Sequence, residues 1–132
     1  MPSYSNMLLV GLGGVAGANA RFFFSRFIAN RTDTGFPWGT LVVNVTGSFI
    51  MGLLAVLSAG LHWNPQWGLL AATGFTGAYT TYSTFEYETF ALVQDGSLRR
   101  AAFNFLLSFL LGFAALFTGA GLANMIVERS GK

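Results

Sequence analysis

The sequence predicts an all-α integral membrane protein of four transmembrane helices, the third of them broken in the middle of the membrane. Three observations predict it. Only 9% of the 132 residues are charged, against about 25% in a typical soluble protein. Residues 34–85 and 101–127 contain no Asp, Glu, Lys or Arg, so each run can supply spans of about 20 residues. Residues 74–85, inside the third apolar stretch, are crowded with Gly, Ser and Thr, which lower helix propensity and can bond freed backbone groups. At this length a single four-helix domain covers 1–132, in keeping with ordinary domain sizes.

The first span is placed at 7–28. Its first half is rich in small residues (Gly11, Gly13, Gly14, Gly17) and its second half carries Arg21 and Arg26. Residues 7–16 followed by Ala18-Asn19-Ala20 imitate a secretory leader with a cleavage site, but the basic segment that should precede them is missing, so the stretch reads as a retained span. After a polar loop at 30–37, the second span covers 38–59. His62 to Gln66, with Asn64-Pro65, reads as the following turn. The third span runs over 67–93 to a turn at Gln94-Asp95-Gly96, and the fourth covers 98–127. An even number of spans places both termini on one side. That side holds Arg129 and Lys132, the other Arg31, Arg99 and Arg100, with Arg26 at its edge. So shallow a positive-inside bias permits insertion both ways round as well as a single orientation.

Several functions are excluded. Seven scattered basic residues and a net charge of +2 do not make a nucleic-acid face. The absence of cysteine removes disulfides, thiolate catalysis and cysteine metal sites. Gly11-Leu12-Gly13-Gly14-Val15-Ala16 fits a loose dinucleotide fingerprint but lacks the strand before it and the acidic residue after it. His62 stands in a predicted loop with no second metal ligand near it. No catalytic constellation is present, and the chain is not expected to be an enzyme.

What remains is polar chemistry at membrane depth. Lipid gives helices no hydrophobic reason to associate, so the small-residue pairs Gly13/Gly17, Gly14/Ala18 and Ser48/Gly52 mark close crossings. Thr40, Asn44 and Ser48 recur every fourth residue on span two, and Asn104 and Ser108 repeat the spacing on span four. Such ladders either glue helices together or line a path in which uncharged donors replace the water around an ion. Arg21 lies too deep to snorkel. It either faces a wet vestibule or is neutralised by Glu88 near the far end of span three. A break in span three offers backbone carbonyls to a small cation, or N–H groups and hydroxyls to an anion.

The stretch Gly74-Phe75-x-Gly77-x-x-Thr80-Thr81-Tyr82-Ser83-Thr84-Phe85 with Glu88-Thr89, the segment Trp38-Gly39-Thr40-Leu41-x-x-Asn44 and Arg21 together resemble the small bacterial fluoride channels, the Fluc or CrcB family. The similarity runs along the whole chain in the same order. The resemblance implies an antiparallel, dual-topology homodimer in a bacterial inner membrane, with two pores through which fluoride leaves the cytoplasm passively. It also implies a structural, untransported sodium ion on the backbone carbonyls of Gly77 and Thr80 of both subunits. Ring edges at Tyr82 and Phe85, joined by Asn44, Ser83 and Ser108, would line each pore, with Thr40, Ser48, Thr81, Thr84 and Asn104 as polar support. The departure from the family pattern is Tyr82, where a phenylalanine is expected. A four-helix multidrug exporter is the main alternative, but it would carry a glutamate in span one, where this chain has arginines. A non-transporting assembly protein is the third reading.

Overall fold

The computed structural model describes residues 3–32 and 34–131. Lys132, counted above among the terminal charges, lies outside them. Among the described residues there is helix and no strand. The elements are α1 (Tyr4–Thr32), α2 (Trp38–Gly60), α3 (Pro65–Gly68), a π-helix (Leu69–Thr76), α4 (Gly77–Tyr79), α5 (Tyr82–Gln94) and α6 (Leu98–Ser130). Of these, α1, α2 and α6 are each long and apolar enough to cross a membrane. The predicted third span is a jointed track, α3 to α5, running from 65 to 94. Each predicted span sits inside its observed element, with the ends extended by a few residues. The turn expected over His62 to Gln66 is shorter than that: Asn64 accepts the Gln66 amide at 3.0 Å and Pro65 already opens α3, as a proline at the first helical position can. His62 takes φ 49° and Gly96 φ 72°, so the chain reverses where the sequence placed its turns.

Close backbone approach organises the bundle. A Cβ on Gly13 would overlap the carbonyl of Leu70, and one on Gly17 the carbonyl of Phe75, so α1 lies directly on the π-helix. Across α2 and α6 the arrangement is reciprocal: Gly52 faces the Leu116 carbonyl and Gly119 the Phe49 carbonyl. Two of the pairs read from sequence, Gly13/Gly17 and the Gly52 half of Ser48/Gly52, therefore mark real crossings. Gly14 is looser, a Cβ there reaching only 4.0 Å from Ala78.

The residues sealed inside include Leu41, Val43, Leu57, Tyr79, Phe85 and Leu92, along with Thr40, Thr76, Thr81 and Asn104. A core with so many hydroxyls and an amide is unlike a soluble one, where these types mostly face water. The outside is inverted in the same sense, with Leu8 68% and Phe117 69% exposed. Apolar surface on this scale is what lipid, or a second protein surface, covers.

Candidate functional site

The helical path of the third track stops at two residues. Thr80 has φ −81° and ψ 157°, and Thr81 φ −149° and ψ 115°, so the backbone is extended between α4 and α5. Backbone polar groups freed at membrane depth must find partners inside the protein, and here they do. Thr81 N donates to Asn44 Oδ1 at 2.8 Å, and Asn44 Nδ2 donates to Thr81 O at 2.9 Å. One carboxamide thus serves both main-chain groups of one residue, as a neighbouring strand would. Thr81 Oγ1 accepts Thr84 N at 3.3 Å and donates to Thr84 Oγ1 at 2.8 Å, capping α5. On the other side of the break, Thr80 N and Thr80 Oγ1 both return to Thr76 O, at 3.1 and 3.0 Å.

Arg21 Nη1 donates to Thr80 O at 3.3 Å. In a trans peptide the N–H and the preceding C=O point in opposite directions, so Asn44 and Arg21 hold opposite edges of the Thr80–Thr81 peptide. This corrects one of the two expectations for Arg21, because the pair with Glu88 is not made. Glu88 Oε1 instead accepts from Thr40 Oγ1 at 2.8 Å, while Glu88 Oε2 is buried without a partner among the described residues. Arg21 lines a cavity of about 200 Å³ together with Thr40, Thr81 and Thr84.

The pore candidates converge on a separate groove of about 310 Å³, lined by Asn44, Ser48, Tyr82, Phe85, Ser108, Phe109, Gly112, Phe113 and Leu116. The rings of Tyr82 and Phe85 stand 5.9 Å apart and tilted by 41°. Phe85 is buried, whereas Tyr82 is 69% exposed. Ser108 Oγ, also buried, has no partner among the described residues, so its hydroxyl is free to serve whatever enters. Ser48 is less free, donating to Asn44 O at 2.8 Å. Ser83 is exposed and is not part of this lining. Asn104 is turned elsewhere, its Nδ2 donating to Thr89 Oγ1 at 2.8 Å, and Thr89 Oγ1 donates in turn to Phe85 O at 2.7 Å. The span-four ladder therefore divides, Asn104 fastening α6 to α5 and Ser108 facing the groove.

Two features were missed in the sequence. Phe105, Phe109 and Phe113 continue the rings of the break along α6, with centroids 6.2 Å from Phe85 to Phe105, then 5.1 and 6.0 Å. Their spacing of four, interleaved with Ser108, was a visible signal. The second is the hydroxyl of Tyr79, 3.0 Å from Thr46 Oγ1, which no sequence pattern announces. A second groove of about 280 Å³ shares Asn44, Ser48, Tyr82 and Leu116 with the first and adds Thr76, Thr80 and Thr81.

Neither groove is lined by a charged side chain. Ring edges carry partial positive charge and hydroxyls and amides donate, so the first can replace water around a small anion. Apolar outer surfaces, glycine crossings and an uncharged polar groove beside a helix break define a membrane protein built for passage rather than for chemistry on a substrate. Comparison with known proteins gives the family. The family described as CrcB-like protein, Camphor Resistance (CrcB), matches residues 8–120, and this chain belongs to it. A protein of Koribacter versatilis named fluoride-specific ion channel FluC is 46% identical over 120 residues, covering 90% of this chain and 95% of that one. The protein of the same name in Acidobacterium capsulatum is 47% identical over 121 residues, covering 91% and 97%, and that of Shewanella amazonensis 42% identical over 118 residues, covering 89% and 95%.

Proposed function

We propose that this chain forms a fluoride-selective channel of the bacterial inner membrane, through which fluoride leaves the cytoplasm passively. The observation that carries the reading is the convergence of Asn44, Tyr82, Phe85 and Ser108 on one groove with no charged lining. These residues come from α2, α5 and α6, and nothing but folding brings them together. An anion losing its water there meets an amide, a buried hydroxyl without a partner among the described residues and two ring edges. None of these binds it so tightly as to prevent exit.

The channel is read as an antiparallel, dual-topology homodimer with two pores and four spans in each subunit. The shallow charge bias of the loops permits both orientations, and the exposed apolar faces of α1 and α6 give a second copy and the lipid surface to cover. A sodium ion is assigned to the carbonyls of Gly77 and Thr80 in both subunits. The donor set suits it. The amide that would close on Gly77 O in an unbroken helix is that of Thr81, and it is spent on Asn44. Among the described residues Thr80 O accepts from Arg21 alone and keeps a second lone pair. Both are hard oxygens, and since two ligands are too few to surround a hard cation, a second copy is needed to bring two more. When bound, the sodium supplies a fixed positive charge that favours an anion nearby.

Reconstitution into liposomes with a fluoride electrode tests the reading. Efflux should be selective for fluoride and independent of a proton gradient. Proton-coupled movement of organic cations would point to the exporter instead, and no flux at all to an assembly protein. Phe85→Ala should abolish flux, whereas Tyr82→Phe should still conduct, because both rings present an electropositive edge. Undiminished efflux in Phe85→Ala would remove that residue from the pore.

A further inference from the structure

The side of the break opposite Asn44 is also held, by a contact that belongs to neither groove. Thr46 Oγ1 lies 2.7 Å from Val42 O and 3.1 Å from Val43 O, so its single proton goes to its own helix. The 3.0 Å contact with Tyr79 is therefore donated by the tyrosine. Tyr79 is 6% exposed and its ring lies nearly flat on Phe75, centroids 5.7 Å apart and planes 11° apart. The ring also lies against Gly47, where a Cβ would come within 3.2 Å of Tyr79 Cδ1 and would overlap Thr80 Cγ2. Phe75 and the bare backbone at Gly47 both bear on the ring, and the hydroxyl fixes how far it slides against them.

Tyr79 is the last helical residue before the extended pair. The same stretch of α2 thus fastens the chain at two points, Thr46 holding residue 79 and Asn44 holding residue 81, and only Thr80 lies between them. We infer that Tyr79, through its hydroxyl on Thr46, is a positioning residue that acts with Asn44 and Arg21 to set the direction of the Thr80 carbonyl and so the affinity of the break for a sodium ion. The inference rests on the sodium assignment proposed above. Its physical content is preorganisation: Asn44 and Arg21 hold the two edges of the Thr80–Thr81 peptide, Tyr79 holds the residue from which the chain enters it, and with that residue free the whole joint has more play, which a cation must then remove on binding.

The test is the sodium concentration that gives half of the sodium-dependent rise in melting temperature of the detergent-purified protein, with N-methylglucamine as the replacing cation. Tyr79→Phe should raise that concentration about fivefold, the factor one hydrogen bond carries. Thr46→Val should raise it equally, the double variant no further than either single one, and Thr46→Ser, which keeps the acceptor, should restore the wild-type value. A merely structural contact would lower the melting temperature equally with and without sodium and leave the half-point where it was. That result in Tyr79→Phe or Thr46→Val, or losses that multiply in the double variant, overturns the inference while sparing the sodium assignment. A wild-type protein indifferent to sodium overturns both.

Discussion

Before the break, the third track lies on α1 backbone to backbone, with only the hydrogens of Gly13 and Gly17 between the main chains. Beyond it, α5 is tied to its neighbours by side chains: Thr40 reaches Glu88, and Asn104 reaches Thr89. The difference follows from what each half has to do. The first half gives the joint an immovable base, and dispersion between closely packed backbones supplies most of it, with the Tyr79 hydroxyl on Thr46 beside it. The second half carries Tyr82 and Phe85 to the groove and is aimed by directional bonds. A methyl group should therefore damage the first half most, and the loss of a donor the second.

The largest effect is expected from Gly17→Val. Its side chain would meet the backbone of Phe75, which cannot yield as a side chain can. Strain above about 3 kcal/mol should appear as loss of monodisperse protein in detergent, and a normally folded Gly17→Val would dissolve the contrast between the halves. Next comes Asn44→Leu at the joint itself. It leaves Thr81 N–H and C=O without partners, at about 1–3 kcal/mol for each group, so the melting temperature should fall clearly and fluoride flux should be lost. A variant that melts and conducts like wild type would show that the break holds its own shape. The smallest effect is expected from Asn104→Leu, which removes one interhelical bond of about 0.6 kcal/mol. A melting temperature lowered by as much as in Gly17→Val would mean that α5 too depends on rigid packing.

Much of this arrangement was legible in the chain. Uncharged runs marked the spans, and the glycine pairs at 13/17 and at 52 marked crossings, because in lipid only small residues permit close approach. The break was legible as composition, Gly and Thr where Leu would continue a helix, but not as a position. Whether Thr80 and Thr81 extend depends on Asn44 arriving from α2 with both its donor and its acceptor, and that is a tertiary fact. The every-fourth-residue ladder on α2 was real as a face, yet its members do different work: Thr40 holds a carboxylate, Asn44 a backbone, and Ser48 its own helix. Periodicity reports direction, not partner. The same limit hid the fate of Arg21, since sequence offers carboxylates as partners for an arginine and never a carbonyl opened by a break.

The bond between Asn44 and residue 81 has a consequence for how such proteins diverge. Both atoms it grips belong to the main chain, so any residue other than proline at position 81 presents the same donor and acceptor. Substitution at 81 therefore places no demand on 44, and substitution at 44 cannot be compensated at 81. A joint on which the whole groove depends should leave no trace of correlated change between the two positions among relatives, and contact maps drawn from covariation would pass over it.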